Sequence, residues 1–223
     1  GLNIAASVAQ SGGSVAFFSM EMLKKELGHR LLASMASVSA DALKTGDLTS
    51  RSVERVRDAQ ERLKSMDLNV LDASSLTISE IAGKSRRLRR RIGKLDLIVI
   101  DYLQLVESET RNANREREVA EISRAAKKLS VDLECPIILI SQLNRACEQR
   151  QDKRPLMSDL RESGAIEQDA DQVWFVYRPE YYWPEDEALS RKAEIIVSKN
   201  RSGRTGSASC TWDGDCQVFY ESL

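Results

Sequence analysis

Four apolar runs in this chain end in residues suited to handling a phosphate anhydride. Glu21 follows Val15–Met20, Asp101 follows Leu95–Ile100, Gln142 follows Ile137–Ser141, and Lys199, Asn200 and Arg201 follow Ile195–Ser198. A nucleoside triphosphate needs such a set: a carboxylate to hold Mg²⁺ through water and a second acid to orient the attacking water. It also needs an amide to sense the γ-phosphate and cations to meet the charge on the transferring group. Each residue alone has an ordinary reading. An acid that closes an aliphatic strand is often a solvent-facing cap, and Glu21 could equally serve the first turn of the next helix, where the dipole favours acids. The convergence on four strand ends points to chemistry.

Those ends have function only if the runs are strands of one kind of sheet. β-branched runs at Val15–Ser19, Leu68–Leu71, Leu95–Ile100, Pro136–Ile140, Gln172–Tyr177 and Ala193–Ser198 have the length and composition of strands. Stretches with helical spacing lie between the earlier ones, at about Leu23–Ser37, Ser50–Met66, Thr77–Ile92 and Arg115–Leu133. This alternation predicts an α/β fold with a mainly parallel sheet flanked by helices. Leu97–Ile100 is apolar at successive positions, as a strand covered on both faces should be. In such sheets ligands sit outside the carboxyl ends of the strands. Leu2–Gln10 reads as an amphipathic helix. After Ile195 the helices stop, and Ser207–Trp212 with Gln217–Tyr220, around Asp213-Gly214-Asp215, read as a C-terminal antiparallel β-hairpin. Glu107–Asn114 and Gln149–Pro155 read as polar, mobile loops.

Composition removes several classes. Of 223 residues, 42% are hydrophobic and 30% charged, and no aliphatic run approaches the ~20 residues of a membrane span. No secretory signal pattern opens the chain, which predicts a cytoplasmic protein without a membrane partner. Thirty-three basic against 34 acidic residues leave a net charge of −1, so contact with nucleic acid must come from local patches. Cys135, Cys147, Cys210 and Cys216 lack close metal-ligand spacing, and His29 is the single histidine. Reduced, mostly buried thiols are expected; a Cys210–Cys216 bridge across a hairpin is within reach, but nothing demands it.

Longer motifs then carry a resemblance. Phe18-Ser19-Met20-Glu21-Met22, the run Leu97–Leu105 (LIVIDYLQL), Ser141-Gln142-Leu143-Asn144-Arg145, Lys153-Arg154-Pro155, the run Ser158–Asp171 (SDLRESGAIEQDAD) and Lys199–Gly206 (KNRSGRTG) occur in order. Together they resemble the RecA-like C-terminal ATPase domain of DnaB-type replicative DNA helicases, over essentially the whole chain. The resemblance implies ATP and Mg²⁺ as cofactors. It implies that Glu21 polarises water, Asp101 is the Walker B aspartate that holds the metal, and Gln142 senses the γ-phosphate. It makes Lys199 and Arg201 the basic pair that reaches a neighbouring subunit's nucleotide, and places Arg178 and Trp212 on either side of the adenine. Arg161, Glu162 and Gly164 fall where the family's inner loop meets phosphates of single-stranded DNA. The implied partners are single-stranded DNA, five further copies in a homo-hexamer, a primase and a helicase loader.

One family element does not occur among these residues. A P-loop, G-x-x-x-x-G-K-[ST], cradles phosphates with backbone N–H groups. Gly83-Lys84-Ser85 imitates its end, but Ile78 stands where the first glycine should be, and the segment lies inside a helical stretch. The chain is therefore expected to be one RecA-like domain over 1–223, cut at its N-terminus after the P-loop, or supplied with a P-loop from elsewhere. The basic run Lys84–Lys94 reads as a solvated face or partner surface, with DNA contact as the rival reading. Two rival functions remain: another RecA-like ATPase of recombinase or circadian-clock type, which the run Asp159–Asp171 opposes, and a non-hydrolysing DNA-binding or assembly module of the same fold.

Overall fold

A computed structural model describes residues 1–109 and 115–222, with the backbone alone for 161–163. Packing divides the chain into two units, the first formed by Gly1–Gln142 with Asp215–Gln217 and the second by the remainder.

In the first unit, α1 (Leu2–Gln10), β1 (Val15–Ser19), α2 (Lys24–Ala36), α3 (Ala40–Thr45), α4 (Ser50–Ser65), β2 (Leu68–Asp72), β3 (Leu76–Thr77), α5 (Ile78–Ile92), β4 (Leu97–Asp101), β5 (Val106–Glu107), α6 (Arg115–Asp132) and β6 (Ile137–Leu139) follow in order. Local chemistry sets many of the ends. Thr77 Oγ1 accepts from Glu80 N–H at 3.2 Å while Glu80 accepts from Thr77 N–H at 2.8 Å, a capping box that starts α5. Gly93, at φ 86°, stops it in a conformation that glycine adopts without steric cost. The Gly83-Lys84-Ser85 triplet thus lies within a helix, as its sequence context predicts. Thr49 caps α4 and Ser39 caps the six-residue α3, which is too short to show a helical period in sequence.

The strands assemble in the order β2-β1-β4-β6, all parallel. All five residues of β1 are buried, and so are Leu97–Ile100 of β4. Val15, Phe17, Leu97 and Val99 pack against Ala5 and Ala9 of α1 and Leu27 of α2. Ala16, Phe18, Ile98 and Ile100 project from the opposite face, where α5 and α6 contact the sheet. A residue such as Phe17, with no exposed surface, is worth ~1.5–3 kcal/mol of burial. From β1 the chain goes to β2 on one side and returns to β4 on the other, so the switch in strand order falls between β1 and β4. The registers align Ser19 with both Asp72 and Asp101, which makes the carboxyl ends flush at that point.

The second unit contains α7 (Gly164–Asp169) and strands β7 (Gln172–Tyr177), β8 (Lys192–Asn200), β9 (Gly206–Asp213) and β10 (Val218–Glu221), with short 3₁₀ turns between them. The expected hairpin is β9–β10, and it forms the outer half of a four-stranded antiparallel sheet ordered β10-β9-β8-β7. β7 alternates strictly: Val173, Phe175 and Tyr177 are buried, and Gln172, Trp174 and Val176 are exposed. Val173 and Phe175 pack with Leu160, supported by Met157 and Ile196. β8 runs through Lys199 and Asn200, so these two belong to the strand and only Arg201 lies beyond its end. None of the four cysteines forms a disulfide; Cys135, Cys147 and Cys216 are buried.

Candidate functional site

Glu21 sits on the turn after β1. Ser19 builds that turn: its Oγ donates to Met22 C=O at 2.7 Å and accepts from Met22 N–H at 3.1 Å. The backbone of β4 fixes it from the side, as Met20 N–H donates to Asp101 C=O at 2.9 Å. The helix that follows does not use Glu21 as a cap. Glu26 accepts from Leu23 N–H, and Asp72 accepts from Lys24 N–H at 2.9 Å. Glu21 is exposed, lies before the Leu23 N-cap and makes no hydrogen bond or ion pair among the described residues, while Glu26 is the acid of the first turn, so Glu21 does not serve α2.

Asp101 closes β4 directly across the switch from this turn. Burial pushes its carboxyl above the usual range; nearby Glu21 adds to that and Arg30 opposes it. No side chain among the described residues donates a hydrogen bond to it. A half-buried carboxylate without a protein donor, beside a second acid, suits a divalent cation that keeps most of its water. Mg²⁺ sites need one or two carboxylates plus phosphate oxygens, so the absence of any cluster of three ligating side chains among the described residues is compatible with this.

Gln142 follows β6, and its neighbour in space is Gln104. The Gln104 amide donates to Ser141 Oγ at 3.0 Å and to Gln142 C=O at 3.1 Å, and accepts from Gln142 N–H at 3.1 Å. The backbone of Gln142 is therefore clamped from both sides, which leaves its own amide for a ligand. In sequence Gln104 carries only a faint signal, an amide three residues beyond a strand-end acid.

In the second unit the structure brings Lys199 and Arg201 together on one target. Lys199 Nζ donates to Glu167 C=O, with Gln168 C=O at 3.5 Å, and Arg201 donates to Gln168 C=O at 2.6 Å and to Asp171 Oδ1 at 3.1 Å. Both cations thus rest on the carboxyl end of α7, where unpaired carbonyls and the helix dipole favour positive charge. The amino end of the same helix is Gly164. Its backbone is right-handed helical, and a Cβ there would meet nothing within 4 Å among the described residues. The side chains of Arg161 and Glu162 lie outside the described residues.

Arg178 and Trp212 also come together, more closely than a base sandwich requires. The guanidinium carbon lies 4.9 Å from the indole centroid, and Phe219 backs the indole at 4.5 Å. The cation already covers the ring, so a base stacks either by displacing Arg178 or on its outer side. Arg178 Nε is buried without a hydrogen-bond partner among the described residues.

The segment leading to the Arg161 loop is pinned, which corrects the mobile loop expected for Gln149–Pro155. Arg150 forks onto Asp159 at 2.8 and 2.5 Å and also donates to Arg154 C=O, and Leu156 N–H donates to the same carboxylate at 2.7 Å. Arg154 forks onto Glu194 at 2.9 and 2.6 Å and lies over the Tyr177 ring. Hydrogen bonding from Arg150 holds the Asp159 carboxyl below its ordinary range. Sequence reasoning gave Asp159 no role; a buried acid looks like any other until its partner is known.

Residues 1–221 match the model of the DnaB-like helicase C-terminal domain. The chain belongs to that family. It is 46% identical over 220 residues to the replicative DNA helicase DnaB of Geobacillus stearothermophilus and 45% identical to the replicative DNA helicase DnaC of Bacillus subtilis (strain 168). Each match covers 98% of this chain and 48% of the relative, so the chain spans about half the length of these DnaB-like proteins. A solved DnaB-like replicative helicase, described with its interactions with primase, superposes with a TM-score of 0.95 at 35% identity, over 100% of this chain and 54% of that one. The likeness confirms a RecA-like DnaB ATPase fold for this α/β chain. No helix among the described residues is long and apolar enough to cross a membrane.

Proposed function

We propose that these residues are the motor domain of a replicative DNA helicase, which couples ATP hydrolysis to movement along single-stranded DNA and to strand separation. One observation carries this reading: two acids meet at the switch point of a parallel sheet, and the fold gives neither a structural task. When bound, Mg²⁺ would neutralise charge on the β- and γ-phosphates. Asp101 is the residue to hold it through water. Glu21, exposed and unpaired, orients and deprotonates the attacking water. Gln142, with its backbone clamped by Gln104, offers its amide to the γ-phosphate. Arg178 and Trp212 supply a cation and an aromatic face for the adenine.

The second unit supplies the coupling. In a homo-hexamer, Lys199 and Arg201 reach the nucleotide of a neighbouring subunit, and Arg161, Glu162 and Gly164 line the channel around DNA. Six identical loops add their charges there, so the modest basicity of one chain suffices, and binding is salt-dependent. Glu162 contributes through its backbone N–H or a paired arginine, because a carboxylate repels phosphate. Primase and a helicase loader are the further partners, the setting is cytoplasmic, and the whole of 1–223 acts as one ATPase domain.

The test compares Glu21→Gln with the parent in a polypeptide that carries these residues behind a P-loop. Loss of a general base lowers turnover by ~10²–10⁴-fold. Hydrolysis and unwinding of a forked duplex should both fall by that order, with Mg·ATP affinity unchanged. Parental hydrolysis in the variant would remove Glu21 from the chemistry. The alternative, a non-hydrolysing DNA-binding or assembly module, requires that the parent itself show no DNA-stimulated hydrolysis.

A further inference from the structure

The basic run in α5 separates by helix face. On one side Arg86 pairs with Asp132 at 3.2 Å, Arg89 donates to Asp132 C=O, and beyond the helix Lys94 pairs with Asp96. On the other, Lys84, Arg87, Leu88 and Arg91 follow the i, i+3, i+4, i+7 spacing of a single stripe. Lys84, Arg87 and Arg91 have no acidic partner among the described residues; Arg91 donates to Asn69 Oδ1 at 2.9 Å.

This stripe forms one wall of a groove of about 470 Å³. Leu68–Leu71 of β2 form the other wall, with Leu88 contributing apolar surface and Lys24 a fourth cation. The lining contains no acid. β2 is the end strand of its sheet among the described residues. Its hydrogen bonding has a definite parity: Asp67 C=O accepts from Val15 N–H and Ala73 N–H donates to Ser19 C=O, both towards β1. Alternate residues of a strand address the same neighbour, so Asn69 and Leu71 also face β1, and the backbone N–H and C=O groups of Leu68 and Val70 face the groove.

We propose that this groove is a docking site for an extended, acidic peptide segment of a partner protein, added as a further strand along β2. Three features of the groove select that occupant. Unpaired strand-edge groups recognise another backbone, half-buried Leu68, Val70 and Leu71 offer apolar surface to alternate side chains, and four cations without acids receive carboxylates. A nucleic-acid backbone would use the cations but neither the strand edge nor the apolar wall. The inference is independent of the catalytic roles assigned above.

The probe is a fluorescent peptide of alternating glutamate and valine, about six residues long, a strand's usual length, followed by anisotropy at low salt. Saturable binding is expected. Lys84→Glu with Arg87→Glu should weaken it at least about tenfold, whereas the matched charge change Arg90→Glu with Lys128→Glu, outside the groove, should weaken it much less. N-methylation of alternate peptide nitrogens, which removes strand donors and leaves the charges, should also abolish binding and needs no protein variant. Equal loss in both double variants, or full binding by the N-methylated peptide, would overturn the proposal. So would displacement of the peptide by oligo-dT whose own binding depends on Lys84 and Arg87, since the groove would then be a nucleic-acid site.

Discussion

Replacing Asp159 by asparagine should unfasten the segment that leads to Arg161. The carboxylate is 5% exposed as a residue and accepts three hydrogen bonds, two from the Arg150 fork and one from Leu156 N–H. Hydrogen bonds to charged groups contribute ~1.5–3 kcal/mol each when intact. The full sum does not apply. The Arg150 side chain is 29% exposed, can be rehydrated, and keeps its bond to Arg154 C=O. Asparagine also retains one acceptor. A loss of about 2–3 kcal/mol from the second unit is therefore expected. Trp174, Trp183 and Trp212, the chain's three tryptophans, all lie in that unit, so urea unfolding read by tryptophan fluorescence isolates it. The effect has a pH signature. Arg150 depresses the folded-state value of Asp159 below the ~3.9 of an unfolded aspartate. Its stabilisation is fully present above ~pH 4 and disappears as pH falls through the lower folded value. Parent and variant should converge once the pH is below that lowered folded value. A difference under ~0.5 kcal/mol at neutral pH, or one that persists unchanged in acid, would refute the brace.

Three further outcomes are expected. Gln104→Ala frees the backbone of Gln142, so ATP turnover should fall about tenfold with little change in Mg·ATP affinity; a change confined to affinity would argue against γ-phosphate sensing. Arg161→Ala should weaken single-stranded DNA binding equally across sequences and flatten its salt dependence, because phosphate contacts carry no base information; a base-dependent loss would contradict its placement. Burial pushes the Cys135 thiol up to about 11, so near pH 8 it should resist iodoacetamide in the native protein and react only in urea, as read by mass spectrometry. Rapid native labelling would contradict its burial.

The parallel half of the fold was largely legible, because strands buried on both faces and helices with a regular apolar stripe leave strong local patterns. β1 and β7 match their expected bounds, and α5 differs by one residue. The six-residue α3 and the two-residue pair β3–β5 lack a period to read. Pairing was harder: nothing in Ala193–Ser198 says that β8 lies between β7 and β9 with antiparallel neighbours. The candidate site divided in the same way. Glu21, Asp101 and Gln142 announced themselves by standing at strand ends. Gln104 acts through Ser141 and Gln142, remote in sequence, and Asp159 through Arg150, whose fork onto it no sequence pattern announces; only the fold reveals these partners beside them. The basic run of α5 could not be apportioned from sequence, since Asp132, which neutralises one face, comes from another helix.

In the proposed ring, Arg201 completes the pocket of a neighbouring subunit. Here its guanidinium rests on Gln168 C=O and Asp171, half-exposed and free to exchange those acceptors for phosphate oxygens. Its charge is permanent and its fork fits them. Arginines of this kind raise turnover by ~10³–10⁵-fold. Behind a P-loop, Arg201→Ala should abolish most hydrolysis while leaving nucleotide binding by the monomer intact. The decisive measurement mixes that variant with one whose P-loop lysine is replaced, under conditions of demonstrated co-assembly, and follows ATP turnover against mixing ratio. Activity above both parents, highest at intermediate ratios, is the expected result, because an intact Arg201 then serves an intact pocket next door. Mixtures that never exceed the parents would place Arg201 in its own subunit's site and contradict the ring mechanism.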